Sequence, residues 1–285
     1  MANKSLRKTL NDGGFILAPG VFDLISAKVA DQMDFPALYI TGYGTVASYL
    51  GEPDAGIATY RDMIERIAQI VKKTNTPVIA DADTGYGGLL NVRETTRGYE
   101  AAGVTAMQME DQEFPKRCGH TLGRRVIAKD DMVRKIEVVM DSRKSDDFLL
   151  IARTDARTAL GLDEAIARGK AYRAAGADVV FVESPETEDE MKRVRDEIDG
   201  PLFANMVNGG RTPMLSAEKL TQMGYQIAIH PAVGFLAIGH ALTHAYSDLL
   251  KHGDTSDEVP LYSFDAFNKL IGFEDIWKFE TKFAE

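Results

Sequence analysis

The only cysteine of this chain, Cys118, lies in a setting that suits proton transfer. Lys116 and Arg117 precede it, and His120 follows it by two residues. Nearby positive charge favours the thiolate and lowers a cysteine pKa. Such a thiol can give a proton to a carbanion and take it back near neutral pH. A lone cysteine is more often a small buried residue, but the flanking charges favour a chemical role here.

Asp81 and Asp83 form the strongest pair of candidate metal ligands. Alternate residues of a strand face the same side, so both carboxylates should point one way, and Glu110 is expected at the end of the next strand. Clustered carboxylates repel one another unless a cation holds them. Hard oxygen ligands suit Mg²⁺ or Mn²⁺. A single loop aspartate would favour a capping role, whereas the convergent set favours a metal site.

Two further features could bind an anionic substrate. The planar guanidinium of Arg153 matches a carboxylate, although an ion pair with Glu183 or Glu110 is an equally good use for it. Gly42 and Gly44 flank Tyr43, and backbone N–H groups in such a turn can hold an oxyanion. A plain glycine turn is as good an interpretation of that segment by itself.

These residues fall after short apolar runs that alternate with longer amphipathic ones, the pattern of buried parallel strands and their helices. The strands are predicted at Phe15–Ala18, Ala37–Thr41, Val78–Asp83, Ala106–Glu110, Leu149–Arg153, Val179–Val182, Leu202–Ala204 and Gln226–His230. The helices are predicted at Asp23–Gln32, Thr59–Thr74, Asn91–Ala102, Lys129–Arg143, Leu162–Ala175, Glu186–Glu197, Ser216–Met223 and Gly234–Lys251.

Eight strand–helix units predict a (β/α)₈ barrel, since a doubly wound sheet would carry a dinucleotide fingerprint that is missing. Chemistry in such barrels sits at the carboxyl ends of the strands, where the polar residues above would meet. The segment Gln112–Val126 is long for a connection in a compact barrel. Because long connections of that kind often serve as lids, Cys118 is predicted on a lid.

Composition narrows the class of protein. The 285 residues carry a formal charge of −10 and no long basic run, so nucleic acid is a poor partner. No apolar run reaches membrane-spanning length, and the polar N-terminus lacks the apolar stretch of a signal peptide. One cysteine suggests a reducing compartment, so we expect a cytoplasmic protein. Residues 1–285 are predicted as one barrel domain, with 252–285 a helical extension whose aromatic residues need a partner surface.

Taken together, five segments resemble the isocitrate lyase / phosphoenolpyruvate mutase superfamily over nearly the whole chain. They are Asp81–Gly87, Glu110–Gln112, Lys116–His120, Ile151–Asp155 and Asn205–Pro213. Within that superfamily the Cys-Gly-His loop looks like the carbon–carbon lyases. Tyr39–Tyr43, Phe181–Pro185 and Ile229–Pro231 look closest to the 2-alkylmalate (2,3-dimethylmalate) lyases. Methylisocitrate lyases are similar too, but tend to carry Ser-Gly-Gly where this chain has Thr41, Gly42 and Tyr43.

The resemblance implies a TIM barrel whose eighth helix is swapped between subunits, in a homotetramer built from dimers. It also implies Mg²⁺ and a small 2-hydroxy di- or tricarboxylate substrate. By the same resemblance, Asp81 ligates the metal with Asp54, Asp83 and Glu110 around it, and the 2-hydroxy carboxylate is bound by Thr41, Gly42, Tyr43 and Arg153. The other carboxylate end is bound by Gly119, His120, Glu183 and Asn205. Cys118 protonates the departing carbanion, and Tyr39 handles the hydroxyl proton.

The implied reaction is a retro-aldol or Claisen-type cleavage that yields an α-keto acid, expected to be pyruvate, and a simple carboxylic acid. Three alternatives stay open. Methylisocitrate could be the substrate; the same scaffold could hydrolyse oxaloacetate or act as a phosphonopyruvate-type enzyme; or a barrel without catalysis could bind ligands or support an assembly. The intact Asp81, Asp83, Arg153 and Cys118 argue against the last. A Schiff-base aldolase is disfavoured because no strand end carries a lysine.

Overall fold

A closed barrel of eight parallel strands, in sequence order around the ring, forms the first part of the protein. The computed structural model describes residues 5–117, 123–256 and 258–284. The predicted (β/α)₈ fold is therefore confirmed. The strands are β1 (Ile16–Val21), β2 (Leu38–Ile40), β3 (Val78–Asp81), β4 (Ala106–Glu110), β5 (Leu149–Thr154), β6 (Val179–Val182), β7 (Leu202–Asn205) and β8 (Ile227–His230).

The helices mostly follow the predicted order, with additions at both ends and at two strand ends. They are α1 (Leu6–Asn11), α2 (Leu24–Asp31), α3 (Gly42–Leu50), α4 (Tyr60–Lys73), α5 (Leu89–Ala101), α6 (Lys129–Ser142), α7 (Ala156–Leu160), α8 (Leu162–Ala174), α9 (Glu188–Glu197), α10 (Ala217–Met223), α11 (Val233–His252), α12 (Phe264–Ile271) and α13 (Phe273–Phe283).

The six strands β2 to β7 are buried on both faces, as continuous apolar runs predict. One set of side chains points into the barrel, with Tyr39, Ile79, Ile151 and Phe203 among them. The alternating set packs outward against the helices. The barrel interior below the mouth is filled with apolar side chains, and this packed core supports the polar groups at the strand ends.

Strand β1 runs further than predicted, through Pro19, which pairs with His230 of β8, and Gly20, which pairs with Tyr39 of β2. The physical reason lies in the close approach of the chain after β8. A Cβ atom on Gly20 would lie 2.2 Å from the carbonyl oxygen of Pro231. Only glycine fits there, so the residue that looks like a strand terminator is the one that permits this contact.

Residues 5–234 and 235–285 separate into two compact units. In the second unit Val259 and Leu270 are buried, and Phe273 lies against Trp277 with ring centroids 5.8 Å apart. None of the α11 residues is buried in the single chain, although the helix carries Leu236, Leu242 and Leu249. No helix in the described part of the chain is both long and apolar enough to cross a bilayer.

Candidate active site

The carboxyl ends of β2 and β3 bring Asp81 next to the start of α3. The backbone N–H of Gly42 donates to Asp81 Oδ2 at 3.3 Å, and a Cβ at Gly42 would lie only 2.5 Å from that oxygen. The segment around Gly42 is therefore the N-terminus of a helix, and the glycine turn predicted there is wrong. The strand end needs glycine because Asp81 packs directly against its backbone.

Asp83 lies near Asp81 for a different reason from the one predicted. Strand β3 ends at Asp81, so the two residues do not alternate along one strand. The backbone turns instead, with Asp83 in the left-handed region at φ +46° and its N–H donating to Asp81 Oδ1 at 3.0 Å. A non-glycine residue in that region is strained, and such strain concentrates at functional sites.

A lysine completes this group of charges. The Lys116 ammonium lies 2.7 Å from Asp54 Oδ1 and 2.7 Å from Asp83 Oδ1, with its side chain only 3% exposed. Burial alone would lower the pKa of Lys116, but the charges of Asp83 and Asp54 raise it well above its usual value. Burial also raises the pKa of Asp83 to about 7, against the opposing charge of Lys116. The sequence suggested only that Lys116 lowers the thiol pKa of Cys118; these long-range contacts leave no local signal.

Arg153 lies at the centre of the opposite side of the mouth. Its Nε and Nη2 donate to the two carboxylate oxygens of Asp155 at 2.8 and 2.9 Å. Nη1 lies 3.2 Å from Glu110 Oε2, and Nη2 lies 3.5 Å from Glu183 Oε2. Both ion pairs considered from the sequence are therefore present. The fork held by Asp155 was not predicted, because Asp155 was noted only as part of a strand-end motif.

The pair Glu183 and Asn205 joins the ends of β6 and β7. Asn205 Nδ2 donates to Glu183 Oε2 at 3.0 Å, and Ser184 Oγ donates to Glu183 Oε1 at 3.1 Å. Ser184 itself has φ +59°, a second strained strand end. Glu183 thus accepts from several donors, which orients Asn205 and Arg153 at the mouth.

Thr41 and Tyr43 flank the first residue of α3. Thr41 is buried and occupies the N-cap position of the helix, without a side-chain capping bond. Tyr43 is 41% exposed. The structure therefore places Thr41 and Gly42 at the mouth close to Asp81, and the Tyr43 side chain reaches solvent.

Tyr39 is buried inside the barrel beneath these residues. Its phenol donates to Gln108 Oε1 at 2.7 Å. Burial raises the pKa of Tyr39 well above its usual value, and the nearby charge of Asp81 raises it further. The neutral phenol is therefore the form present near pH 7, and it donates its proton in the hydrogen bond to Gln108.

The segment Gln112–Val126 is anchored at both ends. Gln112 and Val126 form an antiparallel bridge, and Gln112 Nε2 donates to Glu110 Oε1 and to the Arg117 carbonyl, each at 2.9 Å. On the other side Arg124 bonds Asp155. The predicted site residues Cys118, Gly119 and His120 lie outside the described residues.

Two networks behind the mouth hold its strand ends. Asp111 accepts from Thr154 Oγ1 at 2.7 Å, from the Asp155 N–H at 2.9 Å, from Arg168 at 3.0 Å and from Tyr172 at 2.6 Å. This ties β4 to β5 and α8. The sequence offers no signal for this hub, because its members are up to 61 residues apart.

The second network lies behind β3. The phenol of Tyr99 donates to the Asp81 carbonyl oxygen at 2.9 Å, and its oxygen lies 2.9 Å from that of Tyr86. Tyr99 belongs to the core between the strands and the helices, and Tyr86 packs against that core. They fix the backbone that carries the Asp81 carboxylate.

The residues present fit a divalent metal of the magnesium type. In the parts of the chain that the structure describes, no three carboxylate, imidazole or thiol groups are close enough to ligate one ion together. Mg²⁺ does not need such a set, since it keeps several waters and binds through one or two carboxylates. The donors are hard oxygens, and Lys116 pairs with only two of the carboxylates, those of Asp54 and Asp83, while Asp81 and Glu110 are buried beside them. A buried group of carboxylates is favourable only with a cation nearby.

Comparison with known proteins agrees with this geometry. A family model described as phosphoenolpyruvate phosphomutase matches residues 6–250. A protein named 2,3-dimethylmalate lyase from Eubacterium barkeri is 46% identical over 281 residues, covering 98% of this chain and 97% of its own.

Two solved structures are also similar. A crystal structure of 2,3-dimethylmalate lyase has a TM-score of 0.93 at 37% identity, covering 100% of this chain and 96% of the other. Oxaloacetate acetylhydrolase in complex with the inhibitor 3,3-difluorooxalacetate has a TM-score of 0.92 at 34% identity, with 98% and 96% coverage.

Proposed function

The chain belongs to the phosphoenolpyruvate mutase/isocitrate lyase superfamily, and on that premise we propose that it is a Mg²⁺-dependent carbon–carbon lyase. Its substrate is a 2-hydroxy dicarboxylate of the 2-alkylmalate type, such as 2,3-dimethylmalate. Cleavage of the bond between C2 and C3 gives an α-keto acid and a simple carboxylic acid. For 2,3-dimethylmalate the products are pyruvate and propionate.

One observation carries the proposal. The 46% identity with a 2,3-dimethylmalate lyase extends over nearly the full length of both chains. In the same chain, the mouth of the barrel contains both a cluster of carboxylates and a buried Arg153. Fold similarity alone would not separate lyases from hydrolases, because this fold hosts several activities. The Cys118 segment, which resembles that of the lyases, favours lyase chemistry.

The metal would be held by Asp81, with Asp83, Asp54 and Glu110 around it, directly or through water. Mg²⁺ bound there would act as a Lewis acid and stabilise negative charge on the substrate's C2 oxygen; Mn²⁺ has the same ligand preferences. Supporting this, burial raises the pKa of Glu110 well above its usual value, despite the opposing charge of Arg153. An additional cation would offset that cost.

Arg153 binds the carboxylate next to C2, and the N-terminus of α3, whose Gly42 N–H donates to Asp81, borders the same mouth. A helix N-terminus and a guanidinium both favour an anion. Thr41 and Tyr43 border this position. At the other end of the substrate Asn205 donates to the second carboxylate together with Gly119 and His120. Glu183 is itself an anion, so its role is to orient Asn205 and Arg153.

Proton transfers complete the reaction. Cleavage leaves an electron pair on the carbon α to the second carboxylate, and Cys118 supplies the proton for it. The C2 hydroxyl proton passes to a base at the mouth as the ketone forms. Tyr39 is the residue the resemblance implies for that proton, but its raised pKa and its bond to Gln108 make a phenol donor the better role. In that role it fixes Gln108 beside the mouth.

A substrate panel tests the proposal. Keto-acid release is measured for 2-alkylmalates, methylisocitrate, isocitrate and oxaloacetate, each with Mg²⁺ and with EDTA. The proposal predicts the highest kcat/KM for a 2-alkylmalate. A second candidate, oxaloacetate hydrolysis, is favoured by the similarity to the oxaloacetate acetylhydrolase structure. Oxalate formation from oxaloacetate would identify it.

We further propose a homotetramer built from dimers in which α11, the eighth barrel helix, packs on a neighbouring subunit. The support is its apolar surface, since none of its residues is buried by the described part of the single chain. Residues 1–285 remain assigned to one barrel domain with a helical extension from 252. Residence in a reducing, cytoplasmic compartment is proposed from the single cysteine.

A further inference from the structure

Lys116 is a cation that lies among the proposed metal ligands, where it contacts Asp54 and Asp83. We propose that Lys116 is the counter-cation of the carboxylate cluster formed by Asp54, Asp81, Asp83 and Glu110, and that its charge weakens the binding of Mg²⁺ there. By this account the ammonium holds the site together before the metal binds and weakens the metal once it does. The inference rests on the proposed Mg²⁺ site and adds a determinant of its affinity.

The geometry identifies which carboxylates are shared. The Lys116 ammonium lies 2.7 Å from one oxygen of Asp54 and 2.7 Å from one oxygen of Asp83. All three side chains are less than one-tenth exposed, so water screens their charges little. A carboxylate oxygen that forms an ion pair with an ammonium at this distance has less electron density to offer a metal. Within the described part of the chain the Asp81 carboxylate makes no ion pair with Lys116 and instead accepts from the Gly42 N–H.

The same lysine lies in the N-terminal part of the Gln112–Val126 segment, residues 112–117, which we call the leg. The Arg117 N–H donates to Gln112 Oε1 at 2.9 Å, and Gln112 in turn bonds Glu110. A Cβ on Gly56 would lie 3.1 Å from the Lys116 backbone nitrogen, so the leg packs closely on the Asp54 segment. Three proposed metal carboxylates, those of Asp54, Asp83 and Glu110, are therefore bonded to this leg.

The sign of the coupling follows from Coulomb's law. A unit positive charge a few ångströms from Mg²⁺ repels it, and at an effective protein dielectric the effect exceeds tenfold in affinity. Without the ammonium, the buried carboxylates repel one another and gain more from a metal. Coupling between two ligands of one site is reciprocal, so bound metal loosens Lys116 as Lys116 weakens metal. The metal and the leg leading to Cys118 are thus linked through Asp54 and Asp83.

The test measures metal binding rather than turnover. Mn²⁺ is titrated into the wild type, Lys116→Met and Arg125→Gln, and the free ion is followed by electron paramagnetic resonance. Arg125 is the matched control, since it is a cation of the same segment that pairs with Glu113 at the surface. Lys116→Met should bind Mn²⁺ at least ~10-fold more tightly than the wild type, and Arg125→Gln should match the wild type.

Thermal unfolding with and without Mg²⁺ separates this role from a merely structural one. Ligand that binds the folded state raises the Tm according to its affinity. Lys116→Met should be less stable than the wild type without metal and should gain more from Mg²⁺. A lysine that only supports the fold would lower the Tm equally in both conditions, and that result overturns the inference.

The remaining outcomes are also decisive. Equal or weaker Mn²⁺ binding by Lys116→Met overturns the counter-cation role while the Mg²⁺ proposal stands. No Mn²⁺ binding by the wild type contradicts the Mg²⁺ site itself. If Lys116→Met is unfolded, Lys116→Gln is refolded with and without Mg²⁺; folding only with metal supports the inference, and failure in both conditions overturns it.

Discussion

Replacing Arg153 by lysine keeps the charge and removes the planar fork. In the structure the guanidinium spans Asp155 with two bonds and also reaches Glu110 at 3.2 Å and Glu183 at 3.5 Å. A lysine has a single nitrogen and cannot serve three carboxylates in these directions. The contact proposed between Arg153 and the substrate carboxylate would lose at least one hydrogen bond.

The size of the effect follows from the lost bonds. One charge-assisted hydrogen bond is worth about 1.5–3 kcal/mol. At about 1.36 kcal/mol per factor of ten, loss of one bond to the substrate lowers kcat/KM by roughly 10- to 200-fold. Because the contact exists before and during the reaction, most of the loss should appear in KM. Asp155 keeps a partner in Arg124, so the protein should still fold.

The assay couples pyruvate release to NADH oxidation by lactate dehydrogenase, with thermal unfolding of each variant as a check on folding. Arg157→Lys is the control, because Arg157 belongs to the same strand–helix unit but its ion pairs are with Glu186 and Glu190, which are not proposed site residues. The control should keep kcat/KM within about twofold. A folded Arg153→Lys enzyme whose kcat/KM stays within threefold of the wild type refutes the clamp.

Four further outcomes are expected. EDTA should abolish turnover, and Mg²⁺ or Mn²⁺ should restore it; full activity in metal-free buffer would contradict the metal site. Cys118→Ser should lower kcat by about 10²–10⁴-fold with little change in KM, since a hydroxyl has too high a pKa to replace the thiol as acid; near wild-type kcat would remove Cys118 from the mechanism. Tyr39→Phe should lower kcat by less than about tenfold, because a phenol with a raised pKa is not the base; a loss as large as that of Cys118→Ser would restore it to that role. A chain ended after Lys251 should lose its native assembly in light scattering, and an unchanged mass per assembly would show that the C-terminal segment is not needed.

The barrel could be predicted because its signal is local. Buried parallel strands are continuous apolar runs, so β4, Ala106–Glu110, was predicted at its observed bounds. Strand ends were harder. Asp83 was assigned to β3, but its left-handed backbone places it in a turn, and no sequence pattern marks a strained aspartate. Helix α3 was missed because its two glycines resemble a turn, although Gly42 is there to let Asp81 approach.

The site was predicted by residue type and not by contact. Strand-end position was enough to single out Asp81, Glu110, Arg153 and Glu183, which the structure brings to one mouth. The groups that hold them come from distant parts of the sequence. Lys116 is 62 residues from Asp54 (116 − 54), and Asp111 joins α8 through Arg168, 57 residues away. Such contacts depend on how the barrel closes and leave no periodicity in the sequence.

The most direct test of the proposed function is the product balance with 2,3-dimethylmalate. Purified protein is incubated with this substrate and Mg²⁺, and pyruvate and propionate are quantified together, with oxaloacetate and oxalate measured in parallel. We expect the two products in equal amounts, formed only with the metal and formed roughly 10- to 200-fold more slowly by Arg153→Lys at low substrate. Oxalate from oxaloacetate, with no keto acid from any 2-alkylmalate, would contradict it.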